Sequence, residues 1–486
     1  MKRNIQSNIL LLSIIAAFIS VMAMLLSPGK YFFAIFFPVT YAIVLSFFVV
    51  VVNKRKTSFT SFIFFVMAFL RYVIVPTLGC FTDYYDVDKK FITDESLDTA
   101  LILMIVELIC AGLFLTVLEC SKKRHRQEEK FRLTLYGSKL GYIVFVAVAF
   151  LVYITIGRDL DLKINFFMLS ADVDRTSDSV ETLVSFVNLL ISAALFFVTV
   201  VIINRFKNKY DISKSQSSRS WYVLCSLLFV LIPICTIFGE RRVSVLNVAI
   251  GYMVLLIAMY PEYSGKIIKR LSLGAGSVIV LMSLYKTLAV FVYSSYEEAV
   301  NSSNLGLTDF VCQLDSYFFG MKTVARNVTF SSVNSVGLSN ALYDIFRNIF
   351  GLSFFLKGDL TTSEIFNLNM TNGRALTGTL FSGCGYAYCY TGFILCFADI
   401  CIKLGILMKI EQKIRTARYY EWKYVWGYIY SILAYFMFGS IVLQINSVTR
   451  FLFCYAIFIY CSSIFRRLGN NRKMNYHAMK EQRIGY

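Results

Sequence analysis

The sequence predicts an all-α, polytopic membrane protein with about twelve transmembrane helices and one long, partly helical outer loop. Composition is the first reason. Of 486 residues, 57% are hydrophobic, 16% aromatic and only 16% charged, whereas a soluble domain is about 25% charged. Mean hydropathy is +0.64. The second reason is length, because apolar runs of about 17–25 residues, enough to cross a bilayer, recur along the chain. The third is where the charge lies. The net charge of +18 falls mainly in alternate connecting segments, which is a topology signal and not a nucleic-acid signal.

Twelve runs meet the length requirement: roughly 9–26, 31–52, 59–76, 99–118, 140–156, 183–204, 221–238, 243–260, 271–293, 386–408, 424–441 and 448–464. The first, in "MKRNIQSNILLLSIIAAFISVMAMLL", reads as a retained helix because its apolar run is long and no small-residue cleavage site follows. The expected organisation is nine helices over 1–293, an extracytoplasmic loop over 294–385, three helices over 386–465 and a basic cytoplasmic tail over 466–486.

Both termini are expected in the cytoplasm. That choice makes "NKRK", "SKKRHRQEEKFR", "RFKNKYDISKSQSSR", "SGKIIKR", "KIEQKIRTARYYEWK" and "RRLGNNRK" inner segments. About 32 of the 48 basic residues then lie inside, and the basic count sets orientation. The expected location is a bacterial inner (plasma) membrane. In the long outer loop, "FVCQLDSYFFGMKTVAR" has helical spacing that sets Asp315, Lys322 and Arg326 on one face. "SNALYDIFRNIFGLSFFLKG" has the pattern of a helix lying in the interface, with Asp344, Arg347 and Asn348 between bulky apolar residues.

The chemistry candidates are mostly arginines. Glu240, Arg241 and Arg242 form a short outer hairpin, against the positive-inside trend. Ser244, Asn247 and Gly251 follow Arg241 at offsets of 3, 6 and 10. They make a small-polar stripe that should face the bundle or a water-filled cavity. Arginine's planar, permanently charged fork suits pyrophosphate. The bland alternative is an interfacial cluster that only ends two helices. Arg326 is either part of an anionic site or a solvated loop residue. Arg374 leads into "NGRALTGTLFSGCGYAYCYTG", whose small residues permit close approach to a ligand. Arg71 either reaches an outer cavity or snorkels. Glu107, Lys286 and Asp399 are given at most a structural role. Both histidines, His125 and His477, fall on inner segments. HExxH, Walker A and GxGxxG patterns are absent from the sequence. The twelve cysteines lack CxxC spacing and read mostly as apolar core residues.

This plan resembles the Wzy-type repeat-unit polymerases of bacterial O antigens and capsules. The resemblance rests on twelve spans, cytoplasmic termini, an outer arginine hairpin before helix eight and a very long outer loop before helix ten. "FLRYVIVP", "FGERRVSVLN", "DSYFFGMKT" and "GCGYAYCYTGFI" are similar to the segments at which such chains tend to resemble one another. The R-x10-G pattern of some members fits from Arg326 to Gly337, a spacing that chance alone can supply. The related O-antigen ligases are associated with an outer-loop histidine, which the expected topology lacks here.

The resemblance implies a metal-independent, cofactor-free glycosyltransferase acting on undecaprenyl-pyrophosphate-linked glycans. An acceptor hydroxyl would attack the anomeric carbon of the growing chain and the lipid pyrophosphate would leave. Arg241, Arg242, Arg326, Arg374 and Arg71 are the expected pyrophosphate contacts. Glu240 or Asp315 is the expected base. Membrane lipid, a chain-length regulator and a flippase of the same pathway are the implied partners, with no nucleic acid. The competing reading is a lipid-linked-oligosaccharide flippase or another polysaccharide transporter. Transporters built from repeats should show internal symmetry, and the sequence shows no internal repeat.

Overall fold

Long apolar stretches fold as helices wherever glycine, proline or polar clusters do not interrupt them. The computed structural model describes every residue except 1, 27–30, 53–56, 87–90, 122–132, 158–164, 167–181, 238–241, 275, 278–306, 335, 353–354, 357, 371–372, 374–379 and 485–486. The first helices are α1 (Lys2–Leu26), α2 (Phe36–Val52), α3 (Phe59–Phe69), α4 (Val75–Cys80) and α5 (Asp94–Ser121). They are followed by α6 (Lys139–Val152), α7 (Thr182–Ile212), α8 (Gln216–Cys235), α9 (Arg242–Met259) and the helical segment α10 (Pro261–Gly274). Next come α11 (Leu307–Phe318), α12 (Met321–Val333), α13 (Leu338–Asn348) and α14 (Thr362–Met370). The last are α15 (Gly383–Thr391), α16 (Ala398–Thr416), α17 (Tyr420–Tyr435) and α18 (Val442–Ile484). One two-residue antiparallel pairing joins Asn165–Phe166 to Thr236–Ile237.

Seven helical stretches are long and apolar enough to cross a membrane among the described residues, or eight if one bent pair counts as a span. They are Phe32–Val52, Phe59–Cys80, Asp94–Ser121, Lys139–Ile156, Val187–Ile212, Gln216–Cys235 and Val442–Ile464, with Val245–Met259 and Pro261–Gly274 as the bent pair. The all-helical, membrane-embedded class therefore holds, and the count of twelve does not follow. The causes are local. Leu10–Leu26 is a shorter apolar helix. The expected 271–293 span lies largely outside the described residues. The expected 386–408 span breaks after Thr391, where Gly392 takes φ +60°, and resumes at Ala398. α17 has only 16 residues. The segment read as a basic tail continues α18 as helix to Ile484.

The chain forms two compact units. The first comprises 1–128, 296–412 and 432–447. Here α2 packs on α1 and α5, and α12 packs on α5 and α15. Carboxylates satisfy the start of α3. Glu119 accepts the Ser58 N–H at 2.9 Å, and Glu411 accepts those of Phe59 at 3.1 Å and Thr60 at 3.0 Å. Negative charge at a helix N-terminus meets the orphan N–H groups and the positive dipole end. A cluster of Phe330, Phe366, Phe381, Tyr386 and Val442 fills the space beneath the late helices.

The second unit comprises 129–295, 413–431 and 448–486. α7 packs on α6 and α8, and α8 on α9. Its core is aromatic. Phe196 stacks on Tyr424 at 4.1 Å between ring centroids, and Phe451 on Tyr428 at 4.0 Å. Buried Glu421 accepts from the Tyr142 hydroxyl at 2.5 Å and the Tyr136 N–H at 3.0 Å. Burial raises the Glu421 carboxyl above its ordinary range.

Candidate functional site

The first unit holds a polar system built on a π-turn. Leu70–Ile74 is π-helical, and the Val75 N–H reaches back to the Leu70 carbonyl. Pro76, just beyond, lacks the N–H that an α-helix would use at that position. Such bulges occur often at functional sites. The turn carries Arg71 inward. Arg71 Nη1 meets Glu107 Oε2 at 2.7 Å, and both side chains are wholly buried. The Tyr72 hydroxyl donates to the same oxygen at 3.0 Å. The guanidinium lies over the Phe438 ring at 4.3 Å and the Tyr72 ring at 5.1 Å. Arg71 Nε and Glu107 Oε1 have no hydrogen-bond partner among the described residues.

Polar contacts continue from this pair into the late helices. Arg71 Nη2 donates to Cys384 Sγ at 3.6 Å, and that thiol to Ser382 Oγ at 3.9 Å. Ser382 Oγ donates to Asn327 Oδ1 at 2.6 Å, and the Ser382 N–H donates to the same oxygen at 3.1 Å. Ser382 also caps α15 by accepting the Gly385 N–H at 3.1 Å. A Cβ on Gly385 would stand 2.6 Å from the Asn327 Cβ, so only glycine lets α15 approach α12 this closely. Asn327 is the neighbour of Arg326, which is half-buried on α12. A second buried pair lies nearby in the fold, with Lys403 Nζ 2.6 Å from Asp399 Oδ2 and Asp399 Oδ1 accepting the Ile441 N–H at 3.0 Å.

Asp315 fixes where α12 begins. The segment expected as one helix is two, broken at Phe319 (φ +57°) and Gly320. α11 ends there, and the Asp315 side chain folds over the break. Its Oδ2 accepts the Thr323 N–H at 3.0 Å and the Thr323 hydroxyl at 2.7 Å. Its Oδ1 accepts the Lys322 N–H at 3.2 Å and a hydrogen bond from the Tyr84 hydroxyl. Burial and the Asp315 carboxylate hold the Tyr84 phenol well above its ordinary value. A side chain on Gly320 would run into the Asp315 carboxylate. Capping competes with continuing the helix, which explains why periodicity alone read one helix. With both oxygens occupied by donors, Asp315 is suited to anchoring α12.

The expected site residues are thus distributed as follows. Arg71, Asp315 and Arg326 belong to the first unit. Arg71 is sealed in an ion pair, so it neither snorkels nor reaches an open cavity. Arg242 begins α9 in the second unit. Glu240, Arg241 and Arg374 lie outside the described residues. Two members of the polar stripe after the arginine hairpin, Asn247 and Gly251, face inward, and the Ser244 side chain lies outside the described residues. Asn247 is buried and accepts from the Ser431 hydroxyl at 2.7 Å. Gly251 lies against the Tyr424 ring, where a Cβ would come within 2.8 Å.

Sequence reasoning missed Cys384, Ser382, Asn327 and Tyr84, whose Cys384–Arg71, Ser382–Asn327 and Tyr84–Asp315 contacts join residues distant in the chain. The i,i+4 spacing of Asp399 and Lys403 was an available signal. α13 is helical over part of the segment expected as an interfacial helix. Asp344 is buried on one side, accepting from the Tyr386 hydroxyl at 2.9 Å, the Tyr390 hydroxyl at 3.0 Å and the Thr362 N–H at 3.1 Å. Leu338, Leu342 and Phe346 stand exposed on the other.

No protein-family model, no curated protein and no solved structure matches this chain.

Proposed function

We propose that this protein is a repeat-unit polymerase that joins undecaprenyl-pyrophosphate-linked oligosaccharides into O antigen, capsule or a related surface polysaccharide on the outer face of a bacterial inner membrane. The observation that carries this reading is the anchoring of the late segment 307–333. It is helical, locked onto the first unit by Tyr84–Asp315 and Ser382–Asn327 contacts, and it carries half-buried Arg326. A loop that only connected spans would have no need of buried anchors at both ends. On this reading Arg326 stabilises charge on a leaving pyrophosphate oxygen, and Asp315 positions the helix that carries it. Removing one such donor typically costs about 10²–10³ in rate. Arg241, Arg242 and Arg374 remain proposed pyrophosphate contacts, and Glu240 becomes the proposed base. Arg71 supports the fold of the first unit through its pair with Glu107.

A transporter or flippase is the second reading. A buried ion pair between two apolar helices, Arg71–Glu107, favours it, because ionisable groups inside spans often mark transport pathways. Deleting the protein in its host separates the two. Loss of the polymerase leaves surface glycan one repeat long. Loss of a flippase leaves no surface glycan and traps lipid-linked repeats at the inner leaflet. A normal ladder of chain lengths in the deletion strain rejects the polymerase reading. In the second unit, Arg241→Ala should reproduce the deletion at unchanged protein level.

A further inference from the structure

The second unit has a groove of about 260 Å³ between the first turns of α8 and the segment α10. α10 follows α9 through a bend of 120°, with Pro261 at its start. Proline suits a first helical turn, where its missing N–H has no partner to lose. The bend brings Tyr263, Lys266 and Arg270 over Ser217, Ser220 and Trp221. Tyr263 ties the two sides together, since Gln216 Nε2 donates to its hydroxyl at 3.1 Å and Ser220 Oγ lies 3.0 Å from it.

The groove is cationic. Segments 201–220 and 261–274 hold eight Lys and Arg against Asp211 and Glu262. Both acids are engaged elsewhere, Asp211 with Lys207 at 2.5 Å and Glu262 with the Tyr210 hydroxyl at 3.1 Å. Neither Lys266 nor Arg270 has a carboxylate within ion-pair distance among the described residues. Two cations with no carboxylate partner among the described residues, Lys266 standing 5.7 Å from the Tyr263 ring centroid, beside two serines suit a phosphate oxygen set.

An apolar track leaves the same groove. Leu224 and Leu227 line it. Trp221, Leu228 and Ile232 are 60%, 54% and 47% exposed along one stripe of α8, at spacings that bring them onto one face. Eleven residues of helix rise about 16 Å, the reach of an acyl chain rather than of a soluble anion. The asymmetry of basic residues places this end of α8 at the inner leaflet, where anionic lipids collect and basic pockets between helices bind their headgroups.

We propose that this groove binds the headgroup of an anionic phospholipid, its phosphodiester held by Lys266, Arg270 and the two serines and its acyl chain laid along the Trp221 stripe. The site is independent of the polymerase reading. The test uses the full chain purified in detergent, with retained lipid measured by native mass spectrometry. Phosphatidylglycerol should be retained well above phosphatidylethanolamine. At about 1 kcal/mol per basic residue, Lys266→Ala with Arg270→Ala should lower phosphatidylglycerol retention about 25-fold. The charge-matched pair Lys214→Ala with Lys269→Ala, outside the groove lining, should change it less than about twofold. Trp221→Ala, with every charge intact, should also weaken retention. Equal loss in both charge pairs would overturn the site in favour of diffuse attraction. Displacement of phosphatidylglycerol by inorganic phosphate at equal concentration would overturn the lipid assignment.

Discussion

Arg71 Nη1 lies 2.7 Å from Glu107 Oε2, thirty-six residues apart in the chain, with neither side chain exposed. Removing one partner of a buried pair leaves an uncompensated charge, which costs about 3–5 kcal/mol. Glu107→Gln should therefore lower the thermal stability of the purified protein sharply. Arg71→Met combined with Glu107→Gln should recover much of that loss. A double variant as unstable as the sum of the singles would show that the two residues do not act as a pair.

Asp315 should behave as a cap. Asp315→Ala should cost about 1–2 kcal/mol from the lost cap, and more if the buried donors stay unpaired. Asp315→Asn keeps an acceptor for the Thr323 N–H and should lose less, with measurable glycan polymerisation remaining. Full loss of chain extension in Asp315→Asn at normal stability would return Asp315 to the role of base.

Gly320→Ala should destabilise the same break, because the added carbon meets the Asp315 carboxylate. Pairing it with Asp315→Ala should give less than the summed effect, since the clash is then gone. Strict additivity in denaturation measurements would show that the close approach does not govern this position.

Arg326→Ala should shorten surface glycan, with rate falling about 10²–10³ at unchanged protein level. Arg326→Lys should restore only part of it, since a point charge lacks the planar fork. Glycan length profiles on gels make the comparison, and wild-type length in Arg326→Ala would remove the residue from the site.

The exposed face of α13 should sit in lipid. A nitroxide placed at 342 should be relaxed by dissolved oxygen more than by a water-soluble nickel chelate, with the reverse for one at 359, whose residue is exposed and polar. Equal accessibility at both positions would show that α13 does not lie on the membrane.

The helical, membrane-embedded class was legible because apolar composition and run length survive any detail of packing. The inward stripe of Asn247 and Gly251 was legible for the same reason, since it depends only on helical period. What hydropathy could not read were the breaks. Residues 383–408 are apolar enough for one span, yet Gly392 at φ +60° ends α15. Residues 310–326 keep helical period, yet a buried carboxylate offers their N–H groups a better acceptor at Gly320. Arg71 was placed correctly near the end of a span, but its fate depended on Glu107 and Cys384, neither of which is a chain neighbour.

The Tyr84–Asp315 contact also sets a timetable. The first unit begins with residues 1–128 and resumes only at 296, so 167 residues (129–295) are made in between. At about 5–20 residues per second, the ribosome needs roughly 10–30 s for that stretch. Throughout it, the Tyr84 phenol lacks its Asp315 acceptor and Arg71 Nη2 lacks Cys384. The early helices must therefore wait in the membrane half-assembled, which makes this protein a natural client for whatever insertion machinery shelters polar side chains during synthesis.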